Sequence, residues 1–117
     1  IVVGGLLQIK YFGQYQGMQL PEIIHLNESD GGETAPWNIC GSLCTTADVL
    51  AVSCEFTGLA AGDVLVFCRA GAYSCMEGMS IFLSRDLPSV YLYSDKRGLE
   101  LARKPVLTDV FNTPAEY

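Results

Sequence analysis

Cys44 and Tyr73 are the two side chains of this 117-residue sequence best placed to do chemistry. The neighbours of Cys44 are Ser42, Thr45, Thr46 and Asp48, whereas Cys54 and Cys68 lie inside apolar runs. A thiol in a polar, partly open loop can serve as an acid or a nucleophile. A free structural cysteine is the other reading of the same position. Tyr73 closes the run Ala70-Gly71-Ala72-Tyr73, whose small residues allow a ligand or another backbone to come close. Its hydroxyl could donate to an anionic group or satisfy a backbone carbonyl at a corner, and the residues alone leave both open.

The other candidates are weaker. His25, the single histidine, sits among Ile23, Ile24 and Leu26 and reads as a hydrogen-bonded structural residue. There is no C-x-x-C pair, so a zinc site is not expected. No Ser-His-Asp spacing, phosphate loop or carboxylate pair at a helical interval is present. A self-contained enzyme is hard to build from these residues, and the main machinery would have to come from elsewhere.

The elements that must position Cys44 and Tyr73 read as strands. Leu6–Phe12 alternates apolar residues with Gln8 and Lys10, and Met18–Leu26 is a second extended segment with Pro21 marking an edge or bulge. Asn27–Thr34 is a polar loop, Trp37–Leu43 resumes strand character, and Cys44–Asp48 breaks it. Asp48 could cap a helical turn, but Val52–Phe56 favours a strand, and Gly58–Asp63 turns the chain into a strand over Val64–Cys68. Beyond Tyr73 the pattern predicts one helical turn over Ser74–Gly78. Strands follow at Ile81–Leu83, Val90–Ser94 and Gly98–Ala102, and a terminal turn at Thr108–Phe111. Short strands with turn signals every ten residues or so predict a mainly β domain, an antiparallel barrel or sandwich with few short helices.

Length sets one domain over residues 1–117. A net charge of −6, with the basic residues grouped only at Lys96-Arg97 and Arg103-Lys104, argues against nucleic-acid binding. No apolar run approaches the ~20 residues of a membrane-spanning helix. Five cysteines cannot all pair, which fits a reducing cytoplasm. Half the residues are hydrophobic, a surplus that suggests a surface meeting a partner. A start inside an apolar run, without Met, reads as a piece of a longer polypeptide.

Taken in order, several short motifs resemble the C-terminal β-domain of the fold-type III pyridoxal-phosphate decarboxylases, which act on diaminopimelate, ornithine and arginine. They are Gly4-Gly5, then Gly41-Ser42-Leu43-Cys44 with Asp48, then Leu59 with Gly62-Asp63 and Leu65. Ala70-Gly71-Ala72-Tyr73 and Ser84-Arg85 with Pro88 complete the series. The pattern is most similar to diaminopimelate decarboxylases. The resemblance implies an N-terminal (β/α)₈ barrel of about 250 residues that carries pyridoxal 5'-phosphate on a lysine. It also implies a homodimer with the site completed across its interface, and a small amino acid as substrate.

By the same resemblance Tyr73 would contact the cofactor phosphate. Cys44 would reach the partner subunit's site and protonate the carbon that loses carbon dioxide. Asp48 would order the loop or the interface, and Thr45 would lie at the substrate or interface. Thr45 stands where the family usually has an acidic residue holding the substrate's distal amino group. Lys10-Tyr11 replaces an arginine-containing segment, and Val3 replaces an aspartate. The fragment alone is expected to be inactive, with Cys44 and Tyr73 as two lips of a pocket whose floor lies in another domain. The competing reading is a non-catalytic β-barrel module that binds a protein partner through its apolar surplus. An alanine-racemase-type β-domain is a third, less suited to the Cys44 and Tyr73 motifs.

Overall fold

The structure, a computed structural model, describes residues 1–10, 22–27 and 31–114. The longest elements are β2 (Thr34–Cys40) and β3 (Val49–Thr57), which follow β1 (Ile23–His25). β2 and β3 pair antiparallel, from Thr34 opposite Thr57 to Cys40 opposite Val49. β3 is rich in β-branched and aromatic residues, as a pleated half-buried surface favours. Between the pairs Trp37–Cys54 and Ile39–Ala51, β3 spends one residue more than β2. The bulge is taken up at Ser53, whose φ is 54°, and Asn38 Oδ1 accepts the Ser53 amide at 3.0 Å. The bulge resets the inward face of β3. Leu50 and Ala51 are consecutive and both buried, and Phe56 returns to the core after it.

Ile39, Leu50, Ala51 and Phe56 form the buried core. β1 pairs with β4 (Leu65–Phe67), and this second ribbon lays Ile23, Leu65 and Phe67 against the core. Val2, Leu6 and Ile9 close it from the N-terminal segment. A five-residue helix, α1 (Ala72–Met76), and a 3-10 turn over Phe82–Ser84 lead to β5 (Val90–Ser94) and β6 (Gly98–Arg103). These last two strands form a hairpin that contributes no residue to the core cluster. A second 3-10 turn, Asp109–Phe111, ends the described chain.

The mainly β, antiparallel class expected from the sequence is what the structure has. Its described strands form three two-stranded ribbons and are not closed into a barrel. Two of the expected strands are turns instead. The described part of the strand placed at Leu6–Phe12 is a turn, because Gly5 O accepts from both Gln8 and Ile9, and the Leu6 amide goes to a side chain instead of a ladder. Its last two residues, like Met18–Pro21 of the second segment, lie outside the described residues. The strand placed at Ile81–Leu83 is a 3-10 turn instead, because Leu83 and Ser84 adopt φ of 63° and 51°, which no ladder accepts. Asp48 caps no helix, and its carboxylate turns inward. Among the described residues no helix is long and apolar enough to cross a membrane.

Candidate functional site

The loop joining β2 to β3 carries Cys44 at its exposed side. The Gly41 amide donates to Asp48 O at 2.8 Å, closing the loop at its base. Inside, Thr45 N reaches Leu43 O at 2.9 Å, and Thr45 Oγ1 accepts the Ala47 amide at 3.2 Å. Thr45 therefore shapes the turn beside the cysteine. The loop is short, internally bonded and held from beneath.

What holds it is the Asp48 carboxylate, which is 2% exposed. Oδ2 accepts the Leu43 amide at 2.8 Å, and Oδ1 accepts the Leu6 amide at 2.7 Å from a segment 42 residues away. Each is a charge-assisted bond to a backbone donor. The same carboxylate explains two glycines. A Cβ on Gly5 would fall 2.6 Å from Asp48 Oδ2, and one on Gly41 would collide with both oxygens. Gly5, Gly41 and Asp48 are thus three parts of one cradle, although the sequence separates them.

Tyr73 is the second residue of α1, and it is 75% exposed. The expected turn at Ser74–Gly78 begins two residues earlier than its spacing suggested, with Cys75 N and Glu77 N bonding back to Gly71 O and Tyr73 O. α1 docks on the N-terminal segment. Lys10 N donates to Ser74 O, and Met79 N donates to Leu6 O, each at 2.8 Å. Gly78 permits that approach, since a Cβ there would lie 2.5 Å from Leu6 O. Residues Gly5–Lys10 therefore receive the Cys44 loop through the Leu6 amide and the Tyr73 helix through the Leu6 carbonyl. Among the described residues the Tyr73 hydroxyl bonds no carbonyl, so the corner role is not the one it plays here.

Neither Cys44 nor Tyr73 lines the cavity of about 780 Å³ that lies between the N-terminal segment, Trp37–Ile39 and residues 59–65. The other groups fall into structural roles. His25 is buried, with Nε2 2.8 Å from Asp63 Oδ2 and its ring edge-on to Phe56 at 6.2 Å. The Ala60 amide, and after it the His25 ring, hold the Asp63 carboxyl below the usual carboxylate range. All five cysteines are free, and burial pushes the Cys54 thiol up.

Sequence reasoning named Ser42 and Arg85 only within motifs and Thr108 only within a terminal turn, gave Asn112 no part, and did not connect the four. Ser42 N donates to Gly4 O at 3.0 Å and its hydroxyl to Val3 O at 2.8 Å, and Arg85 Nη2 donates to the same hydroxyl at 2.6 Å. The Ser84-Arg85 motif was the available signal, but nothing local tied it to position 42.

A cradle assembled from Gly5, Gly41 and Asp48 ties the early glycines to the cysteine loop. The sequence model of the pyridoxal-dependent decarboxylase C-terminal sheet domain matches residues 4–71. The chain belongs to this family. In this decarboxylase sheet domain the matched span contains Cys44, Thr45 and Asp48 and stops two residues before Tyr73. A solved diaminopimelate decarboxylase from M. jannaschii, crystallised with L-lysine, is similar in structure. Its TM-score is 0.72 at 26% identity, with 88% of this chain and 22% of that one covered. The sheet domain thus spans under a quarter of that decarboxylase. No curated protein matches the chain.

Proposed function

We propose that this chain is the sheet domain of a pyridoxal-phosphate-dependent amino-acid decarboxylase, a carboxy-lyase of the diaminopimelate type acting in lysine biosynthesis. The observation that carries the reading is that the Asp48 cradle and the docking of α1 fix an exposed cysteine and an exposed tyrosine to the same segment, Gly5–Lys10, in a chain of this family. The cofactor-bearing lysine and the bulk of the pocket belong to an N-terminal barrel of the same polypeptide, and Cys44 serves the site of a second subunit.

Tyr73 fits the phosphate end of the cofactor. Its hydroxyl is open, and the Cβ position of Gly71 before it meets nothing within 4 Å, so an anion can approach the backbone there. Pyridoxal phosphate, when bound, accepts the electron pair released as the substrate loses its carboxyl group. Cys44 holds the proton that the substrate carbon needs once carbon dioxide has left. Asp48 fixes where that thiol stands, and Thr45, its hydroxyl engaged by the Ala47 amide, presents a neutral edge to the substrate. Residence in a reducing cytoplasm suits five free cysteines.

The reading is tested on the full-length protein. Carbon dioxide release from diaminopimelate, dependent on added pyridoxal phosphate and yielding L-lysine, is the expected result. Absence of carbon dioxide from every amino acid, with the cofactor demonstrably bound, overturns it. The chain alone, titrated with pyridoxal phosphate, is expected to show no stoichiometric visible band, since the carrying lysine lies elsewhere.

A further inference from the structure

We propose that Arg85 is a specificity-determining residue, and that it binds the carboxylate at the distal end of the substrate brought to the Cys44 loop. This rests on the decarboxylase reading above. The backbone that presents Arg85 is strained and braced. Leu83 and Ser84 immediately before it both lie in the left-handed region, at φ of 63° and 51°. Non-glycine residues held there are strained and persist where surrounding contacts over-determine them. Those contacts come from the C-terminal segment. The Asn112 side-chain amide donates to Ile81 O at 3.1 Å and to Ser84 Oγ at 2.9 Å, and Thr108 Oγ1 donates to Arg85 O at 2.9 Å. Thr108 is fully buried. The guanidinium is then held by Ser42 Oγ at 2.6 Å, two residues from Cys44.

That leaves a charged fork beside the loop with most of its donors unspent. Among the described residues no carboxylate pairs with Arg85; Asp86, next in sequence, forms no ion pair with it. The loop itself offers no exposed anion. Its only acid, Asp48, is buried with both oxygens taken by the Leu6 and Leu43 amides, and Ser42, Thr45 and Thr46 are neutral. A distal ammonium alone finds no partner here. A carboxylate meets a preorganised guanidinium, whose planar fork matches it in two-point geometry.

The test uses the full-length, cofactor-loaded protein with two substrates, diaminopimelate, whose far end bears a carboxylate, and L-ornithine, whose far end is an ammonium alone. The wild type is expected to favour diaminopimelate in kcat/KM. Arg85→Gln is expected to raise KM for diaminopimelate by about ten- to a hundredfold, with kcat and cofactor affinity retained. Arg85→Lys restores part of the loss. Ser42→Ala separates charge from bracing, since it removes the anchor and keeps the guanidinium. Calorimetric titration with glutarate, a dicarboxylate without an amino group, gives a readout free of turnover, and weaker binding to Arg85→Gln is expected. Preference for ornithine, equal KM increases for both substrates, no rescue by lysine, or a loss confined to cofactor affinity each overturn the inference while leaving the decarboxylase reading standing. Turnover of neither substrate, nor of any other amino acid, overturns both.

Discussion

At the scale of single residues, Asp48 carries the site. Its two oxygens join the Leu43 and Leu6 amides across 42 positions, so removing them strands one buried and one part-buried donor and lets the cysteine loop part from its support. Asp48→Ala is expected to cost about 2–4 kcal/mol by urea denaturation, since each orphaned buried donor costs on the order of 1–3 kcal/mol. Asp48→Asn keeps the shape and should cost less. A loss within 0.5 kcal/mol for Asp48→Ala would show that the cradle holds nothing. Asp63 offers a pH test. Its carboxyl titrates below the ordinary value near 3.9 because the Ala60 amide and His25 stabilise the charged form. The stabilisation is complete above that ordinary value and fades as pH falls through the lower folded one. The urea midpoint of Asp63→Asn should therefore vary less than the wild type's below about pH 4. A parallel decline in both proteins would contradict the contact.

At the scale of elements, glycines and left-handed residues set how the pieces meet. Gly78 lies so close to Leu6 O that Gly78→Ala must push α1 off the N-terminal segment. Overpacking of this kind costs about 1–3 kcal/mol. Because Tyr73 rides on α1, the variant should also weaken cofactor retention in the full-length protein. Retention unchanged alongside lost stability would detach Tyr73 from that role. Ser53 bears a φ of 54° in the bulge of β3, so Ser53→Gly should be neutral or stabilising by up to about 1 kcal/mol in the same denaturation assay. These junctions mark where sequence reasoning stops. Val90–Ser94 and Gly98–Arg103 were legible to within a residue, as was the 3-10 turn at Asp109–Phe111, because alternation and turn residues are local signals. The turn at Leu6 was not legible, since its cause is a carboxylate 42 residues on. Nor was the kink at Leu83 and Ser84, whose brace is Asn112. The motif order Gly5, Gly41, Cys44, Asp48 was readable, and the reason for it, one carboxylate needing two side-chain-free neighbours, was visible only in three dimensions.

At the scale of the whole molecule, the β5–β6 hairpin leaves apolar surface without cover. Tyr91, Tyr93, Leu99 and Leu101 share one face through the pairs Tyr91–Leu101 and Tyr93–Leu99, and they are 54%, 73%, 69% and 47% exposed. An exposed apolar face of this kind is characteristic of a surface that meets another. On the isolated chain, Tyr93→Lys with Leu99→Lys should reduce self-association in sedimentation while shifting stability by no more than about 0.5 kcal/mol per exposed site. Unchanged association would place the sticky surface elsewhere.

The division of labour between Cys44 and Tyr73 in the full-length protein tests the proposed chemistry most directly. Steady-state turnover is measured together with cofactor affinity in Cys44→Ala and Tyr73→Phe. The expected result is a fall in kcat of about a hundredfold or more for Cys44→Ala with pyridoxal phosphate still bound, and weakened cofactor binding as the main defect of Tyr73→Phe. Full turnover in Cys44→Ala, or the same loss of cofactor in both variants, would contradict it.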